Sequence, residues 1–213
     1  MRWIALFALV ALAACGSIES PALVSVYQYG LVNGAGTDTL YFHWPRARLP
    51  VRIWVADTSV LKPYVEQAVR RWESVFLYGE YSAQLVTDST HADVIVLAVD
   101  GSSLLRAADG LPAFAAQCTG LTEAPSFATH VYTLPIHTYI SANVITSNPQ
   151  LLPCYSLTLT HELGHSLGLL AHSPFNSDIM FANPLVDSIS TNDRETAVTA
   201  YHVPANVTLG PRP

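Results

Sequence analysis

The sequence predicts one α+β domain, because strand-like segments alternate with helical patterns along most of its 213 residues. Residues 50–56 alternate apolar and polar side chains, as a half-buried strand does. Residues 59–76 instead repeat apolar side chains at the helical spacing, and a second helical pattern covers residues 157–172. With 50% hydrophobic and 12% charged residues the composition is that of a folded protein, and a net charge of −6 with scattered arginines argues against a nucleic-acid-binding surface.

The segment before the first regular strand has two interpretations. Residues 24–29 and 39–44 alternate as possible strands around the turn-forming residues 33–36. Residues 15–45 are therefore either a β-hairpin or a tether, and the regular domain is expected to span residues 46–213.

The rest of the domain follows from hydrophobic patterning. We expect strands at 83–87, at 92–99 and at 130–145, the last interrupted by Pro135. The continuous apolar run of 92–99 is typical of a central strand. Residues 100–128 are punctuated by Gly and Pro and predict a loop, and a final helix is expected over 192–202 with Ser190 or Thr191 as its N-cap.

The first 14 residues are typical of an export signal. They hold thirteen apolar residues and one charge, at Arg2, and are shorter than the roughly 20 residues that span a bilayer. The sequence Leu-Ala-Ala-Cys at 12–15 resembles the lipobox of bacterial lipoproteins, so residues 1–14 are expected to be a signal peptide. This resemblance implies lipidation of Cys15 and anchoring to the cell-envelope membrane, facing the periplasm or the exterior. The alternative is an ordinary cleaved signal peptide.

Two cysteines remain in the exported part of the chain. Outside the cytosol such a pair most often forms a disulfide, so we expect Cys118 and Cys154 to be bridged. The alternative is two unrelated buried thiols.

The second helical pattern contains the sequence His-Glu-Leu-Gly-His at 161–165. His161 and His165 are four residues apart, so their imidazoles lie on one helix face and can bind one metal ion. Glu162 follows the first of them and can act as general base on a water at the metal. The sequence therefore predicts a zinc centre with Glu162 as its catalytic residue.

Three residues beyond this helix extend the pattern. Gly168 can adopt a positive φ and end the helix, which would return the chain toward the metal. His172 is the next histidine, and Met180 lies in the sequence Ser-Asp-Ile-Met-Phe after a turn-forming stretch.

The segments HELGHSLGLLAHS and SDIMF resemble the metzincin metalloproteases, and their matrixin branch in particular. Looser agreement extends over about 49–203, through PVRIWV, QAVRRW, ADVIV and the closing TNDRETAVTAYH helix. The resemblance implies a metzincin-like fold, with a twisted mixed sheet, an active-site helix and a C-terminal helix. It also implies one Zn²⁺ held by His161, His165 and His172, Met180 in a Met-turn, and cleavage of protein or peptide substrates by a monomer.

One departure from the family pattern concerns the third ligand. The pattern HExxHxxGxxH places it at position 171, which is Ala here, and the histidine follows one residue later at 172. An extra residue after Gly168 would explain this, because the spacing from His172 to Met180 fits the family. Asp178 is an alternative oxygen ligand.

Three further alternatives stay open at this stage. The chain could be a non-catalytic zinc-binding surface lipoprotein, although a purely structural zinc has no need of Glu162. A gluzincin arrangement would use Glu195 as its third ligand. His130 and His137 could bind a second ion, and the edge strand that pairs with substrate is expected in the region 112–120.

Overall fold

A computed structural model of the protein describes residues 26–56, 60–99, 119–141 and 152–212. Within these ranges it contains three α-helices and nine short strands. The helices are α1 (Lys62–Glu73), α2 (Leu152–Leu167) and α3 (Thr191–His202). The strands are β1 (Leu31–Val32), β2 (Thr39–Leu40), β3 (Val51–Val55), β4 (Ala83–Leu85), β5 (Val94–Val99), β6 (Gly120–Thr122), β7 (Val131–Tyr132), β8 (Ile136–Ser141) and β9 (Thr208–Leu209).

A five-stranded mixed sheet with the order β4-β3-β5-β8-β6 forms the centre of the molecule. The first four of these strands are mutually parallel, and β6 runs antiparallel to β8 at one edge. Alternate residues of β3, among them Val51, Ile53 and Val55, are fully buried, as expected for a strand with one face on the core. The mixed sheet and three helices are consistent with the predicted α+β class.

Helices α1 and α2 pack against each other and against the sheet, with α1 on β4 and α2 on β6 and β8. Helix α1 begins with Pro63 in its first turn, where a missing N–H costs nothing. Its buried stripe follows the helical period and comprises Val65, Ala68, Val69 and Trp72. Trp72 then donates its indole N–H to the Thr160 carbonyl at 2.7 Å, which fixes α1 against α2.

Helix α3 begins with a capping box. The Ser190 hydroxyl accepts from the backbone N–H of Asp193, and the Asp193 carboxylate accepts from the N–H of Ser190. The prediction of a helix with its N-cap at Ser190 or Thr191 is therefore correct, with Ser190 as the cap.

The N-terminal segment folds onto the domain. Strands β1 and β2 form an antiparallel hairpin, as in the hairpin interpretation, but the strand expected over 24–29 is wrong for the described residues 26–29, because β1 covers only Leu31–Val32. The aromatic side chains on either side of it join the main core, namely Tyr27, Tyr29, Phe42 and Trp44. The described part of this segment is thus continuous with the core of the domain.

Most predicted elements are present with shorter bounds. The helix expected over 59–76 covers Lys62–Glu73, the strand at 92–99 is the central β5, and the segment 130–145 divides into β7 and β8. The loop prediction for 100–128 is wrong at its end, because β6 lies there. Residue 120 is the only overlap of β6 with the edge strand expected over 112–120, and residues 112–118 lie outside the described residues.

Some predictions concern residues outside the described ranges. The signal peptide at 1–14, the lipidated Cys15 and one partner of the disulfide, Cys118, belong to this group. They stay predictions, and so does the disulfide; Cys154 is buried near the start of α2. Among the described residues, no helix is long and apolar enough to cross a membrane.

Candidate metal centre

Helix α2 positions the first two histidines. Its leucines Leu159, Leu163 and Leu167 are fully buried, so the helix is held in one rotation about its axis. His161 and His165 then project together, with their Nε2 atoms 3.0 Å apart. The spacing of four residues gives this proximity directly.

The third histidine reaches the same place through a tight turn. Helix α2 ends at Leu167, and Gly168 follows with φ +129°, a conformation that L-residues avoid. A side chain at Gly168 is also excluded because its Cβ would lie 2.2 Å from the Phe42 carbonyl oxygen. After the turn, Ala171 donates its N–H to the Tyr29 carbonyl at 2.9 Å, and His172 comes to the cluster.

Three histidines therefore lie close enough to bind one metal ion. One ring nitrogen from each of His161, His165 and His172 lies within 4.8 Å of the others, and the His172 ring centroid is 5.3 and 5.0 Å from those of His161 and His165. In the described part of the chain this is the only such group of three His, Cys, Asp or Glu residues.

The hydrogen bonds of two of these rings determine which nitrogen is available. His161 Nδ1 lies 2.7 Å from the Ile179 carbonyl oxygen, and His165 Nδ1 lies 2.6 Å from that of Leu169. A carbonyl only accepts, so each Nδ1 carries the proton and each Nε2 presents a lone pair. These carbonyls are the orienting partners that metal-binding histidines usually have.

Burial keeps the cluster neutral. Desolvation lowers the pKa of His161 to about 4 and lowers the pKa of His165 well below its usual range. It acts in the same direction on His172, the most exposed of the three rings. The imidazoles are therefore unprotonated at neutral pH, the form that binds a metal.

Glu162 lies beside the histidines and points toward β6. Its side chain is buried, and its Oε2 atom accepts a hydrogen bond of 2.8 Å from the Thr122 hydroxyl. Burial raises the pKa of Glu162 to about 8, and the Thr122 hydrogen bond opposes this shift. Burial thus favours the protonated form of Glu162, and the hydrogen bond from Thr122 favours the carboxylate.

Met180 packs beneath the helix and is held by a buried carboxylate. Its sulfur occupies the space beside Gly164, where a Cβ would lie 2.3 Å from Sδ. Asp193 accepts from the backbone N–H groups of Ile179 at 2.8 Å and of Met180 at 3.3 Å, and from the Tyr27 hydroxyl at 3.0 Å. This turn also supplies the Ile179 carbonyl that orients His161.

The histidines and Glu162 open into a cavity of about 460 Å³. The lining includes the edge strand β6 and the segment 182–185, which follows the Met180 turn. Tyr132, Thr158 and Leu170 also line the cavity, and most of its surface is apolar. An apolar cavity with a few convergent polar groups is the usual form of a ligand-binding site.

The other candidate residues lie apart from the cluster. The Asp178 carboxylate accepts from Ser173 at 2.5 Å and from Asn192, and neither Asp178 nor Glu195 belongs to the group of potential ligands. His130 and His137 pair with different carboxylates, those of Asp38 and Glu123, so the two histidines form no joint site.

Four residues around the site had no assigned role in the sequence: Thr122 and Gly120 against Glu162, and Asp193 with Tyr27 beneath the Met180 turn. Only Asp193 carried a local signal, because it stands three residues after Ser190 in a capping-box position. The other three act through contacts between distant parts of the chain.

No protein-family model matches this chain, and no curated protein matches it.

Proposed function

We propose that the protein is a zinc-dependent endopeptidase of matrixin-like metzincin type. One observation carries the proposal: three neutral imidazoles converge on one point beside a buried glutamate, at the base of a cavity of about 460 Å³. The Gly168 turn and the buried Met180 beneath the histidines agree with the resemblance stated from the sequence.

The donor atoms fit zinc. Zn²⁺ binds imidazole nitrogen at about 2.0–2.1 Å in tetrahedral sites. His161 and His165 offer Nε2 lone pairs 3.0 Å apart, and His172 completes the group. Three protein ligands are typical of a catalytic zinc, because the fourth position is left for water or substrate. When bound, the ion would polarise the scissile carbonyl and increase the acidity of the attacking water.

Glu162 would transfer the proton. Its carboxylate accepts the proton of the water that attacks the scissile carbonyl, and the same group then delivers this proton to the departing amine. A cation held by the three histidines would favour the ionised form of Glu162, the form that accepts the proton. Burial of Glu162 away from solvent also keeps bulk water from competing for the proton.

The walls of the cavity suit an extended peptide. Among the described residues, strand β6 lies at the edge of the sheet and pairs with β8 on one side only. Its outer side can add one more strand, the usual way in which an extended peptide is bound along a sheet edge. We propose that a peptide substrate lies between β6 and residues 182–185.

Glu162→Gln is the decisive test. It should reduce cleavage of a peptide library by at least about 100-fold, since a general base contributes on the order of 10²–10⁴-fold. Zinc content should stay near one ion per chain, because Glu162 is not among the three nitrogen donors. Glu195→Gln, on α3 and outside the cavity, is the matched control and should keep full activity.

The result also separates the proposed enzyme from a non-catalytic zinc protein. Wild-type protein with one zinc that cleaves no member of the library would refute the endopeptidase proposal. Full activity in Glu162→Gln would refute the assigned role of Glu162.

A further inference from the structure

We propose that β6 holds the general base in place and that Thr122 is a positioning residue for Glu162. This inference rests on the proposed function. It concerns three residues, 120–122, that form an edge strand over α2.

The hydroxyl of Thr122 has three oxygen neighbours but only one proton. They are Glu162 Oε2 at 2.8 Å, the Glu162 carbonyl oxygen at 3.1 Å and Thr138 Oγ1 at 3.1 Å. The carboxylate is the closest and the strongest acceptor, so Thr122 donates its proton there. Thr138 can then donate to Thr122, which gives a directed chain from Thr138 through Thr122 to Glu162.

The sheet register produces this chain of hydroxyls. Thr122 lies directly opposite Thr138 in the antiparallel pairing of β6 with β8, so the two side chains lie side by side. Thr138 is completely buried, which leaves its hydroxyl dependent on protein partners. Any change in the register would remove the donor from Glu162.

Gly120 makes room for the same carboxylate. It lies two residues before Thr122 and therefore on the same face of β6. A Cβ at Gly120 would lie 2.5 Å from Glu162 Cγ and 2.6 Å from Oε1. Strand β6 thus leaves space at Gly120 for Cγ and Oε1 of Glu162, and it donates a hydrogen bond from Thr122 to Oε2.

The two carboxylate oxygens of Glu162 have different surroundings and therefore different proposed roles. Oε2 is bound by Thr122, and among the described residues no hydrogen bond reaches Oε1. Oε1 is therefore the oxygen left for the attacking water. Fixing one oxygen lowers the cost of orienting the other, because a catalytic group misplaced by about 1 Å can lose about 100-fold in rate.

The test compares Thr122→Val with Thr122→Ser. Valine keeps the shape and removes the donor, so kcat should fall by about 10-fold while KM changes less than about 2-fold, as expected for a lost bond to a charged group. Serine keeps the hydroxyl and should restore at least half of the wild-type kcat. Zinc content should equal that of the wild type in both variants.

Thr90→Val is the matched control. Thr90 also donates its hydroxyl to a carboxylate at 2.8 Å, that of Asp88, but it lies outside the cavity. This variant should keep the wild-type kcat. Crystal structures give a readout independent of turnover: the Glu162 carboxylate should be displaced in Thr122→Val and unmoved in Thr122→Ser.

Three results would overturn the inference. They are an unchanged kcat in Thr122→Val, an equal loss in Thr122→Ser, and a loss of zinc in parallel with activity. Each leaves the endopeptidase proposal standing as long as the wild type cleaves peptide. A wild type that cleaves nothing would instead refute the proposed function, while the crystal structures would still report whether Thr122 positions Glu162.

Discussion

The two walls around Glu162 are built in opposite ways. The α2 wall is one continuous helix of 16 residues, in which neighbours in sequence become neighbours in the site. The β6 wall is three residues long, and its position depends on pairing with β8 about 18 residues farther along the chain. In the proposed mechanism, the helix supplies His161, His165 and Glu162, and the strand supplies the Thr122 hydroxyl that orients Glu162. Residues that local helical spacing brings together are thus completed by residues that a long-range strand pairing places beside them.

Removing one of the three proposed metal ligands should have the largest effect, because it disrupts the histidine cluster and leaves β6 unchanged. His172→Ala should weaken zinc binding by more than about 100-fold and abolish cleavage. Loss of a residue that only hydrogen-bonds to a metal ligand already costs up to about 100-fold in affinity, and loss of a ligand should cost more. Adding Ala171→His to this variant should not restore zinc, because the backbone of Ala171 is fixed by the Tyr29 carbonyl.

Zinc titration monitored by mass spectrometry measures both effects. His202→Ala is the control, since His202 is exposed and pairs only with Glu80 at the surface. Zinc retention in His172→Ala would show that His172 is not the third ligand, and recovery with Ala171→His would show that position 171 can also present one.

Adding a side chain at Gly120 in β6 should have the next largest effect. Gly120→Ala places a Cβ within 2.6 Å of two Glu162 atoms, so the glutamate must move. The neighbouring atoms belong to a flexible side chain, so the fold should survive while cleavage falls by about 100-fold. Zinc content should stay at the wild-type level, since no histidine is displaced.

Peptide-cleavage kinetics and zinc analysis on Gly120→Ala decide this point. Gly34→Ala is the matched control, because a Cβ there meets nothing within 4 Å. Wild-type activity in Gly120→Ala would mean that β6 does not constrain Glu162.

The smallest expected effect is on the pH dependence of stability in the metal-free protein. The raised pKa of Glu162, from 4.5 to about 8, means that the folded state keeps a proton that the unfolded state has lost. Stability from this group is therefore lost as the pH rises toward 8. The histidines act oppositely, because their lowered pKa values favour protonation of the unfolded state below about pH 6.5.

The two effects largely offset each other between pH 6.5 and 7, so stability should be greatest near pH 7 and fall by no more than about 1 kcal/mol between pH 7 and 8. Urea unfolding of chelator-treated protein across this range measures the change. In Glu162→Gln the loss of stability above pH 7 should disappear, while the loss below pH 6.5 that comes from the histidines should remain. A flat profile in the wild type would contradict the burial of a protonated Glu162.

The sequence predicted the helical side of the site well. The spacing of His161 and His165 and the buried face of α2 follow from a period of 3.6 residues, and the helix end at Gly168 follows from the positive φ that glycine tolerates. His172 was harder, because the turn after Gly168 depends on the carbonyl groups of Phe42 and Tyr29, far away in the sequence.

The strand side could not be predicted in the same way. Gly120-Leu121-Thr122 is too short to show alternation, and glycine and threonine alone suggest a turn as readily as a strand. The contact of Thr122 with Glu162 spans 40 residues and depends on a register that no local pattern records. Asp193 is similar, because the N-cap at Ser190 or Thr191 was predicted, but the hydrogen bonds from Ile179 and Met180 to the Asp193 carboxylate were not.

The N-terminal hairpin segment limits how far the chain can be shortened without affecting the candidate metal centre. Tyr27 binds Asp193, Tyr29 accepts from Ala171, and Trp44 donates to the Ser166 carbonyl at 2.9 Å. A fragment starting at residue 46 would keep the three histidines proposed as metal ligands. It would lose these three hydrogen bonds, each of which holds a segment that carries or orients a histidine. The smallest fragment that keeps the proposed activity should therefore begin before Tyr27, and a shorter one should lose zinc affinity as well as stability.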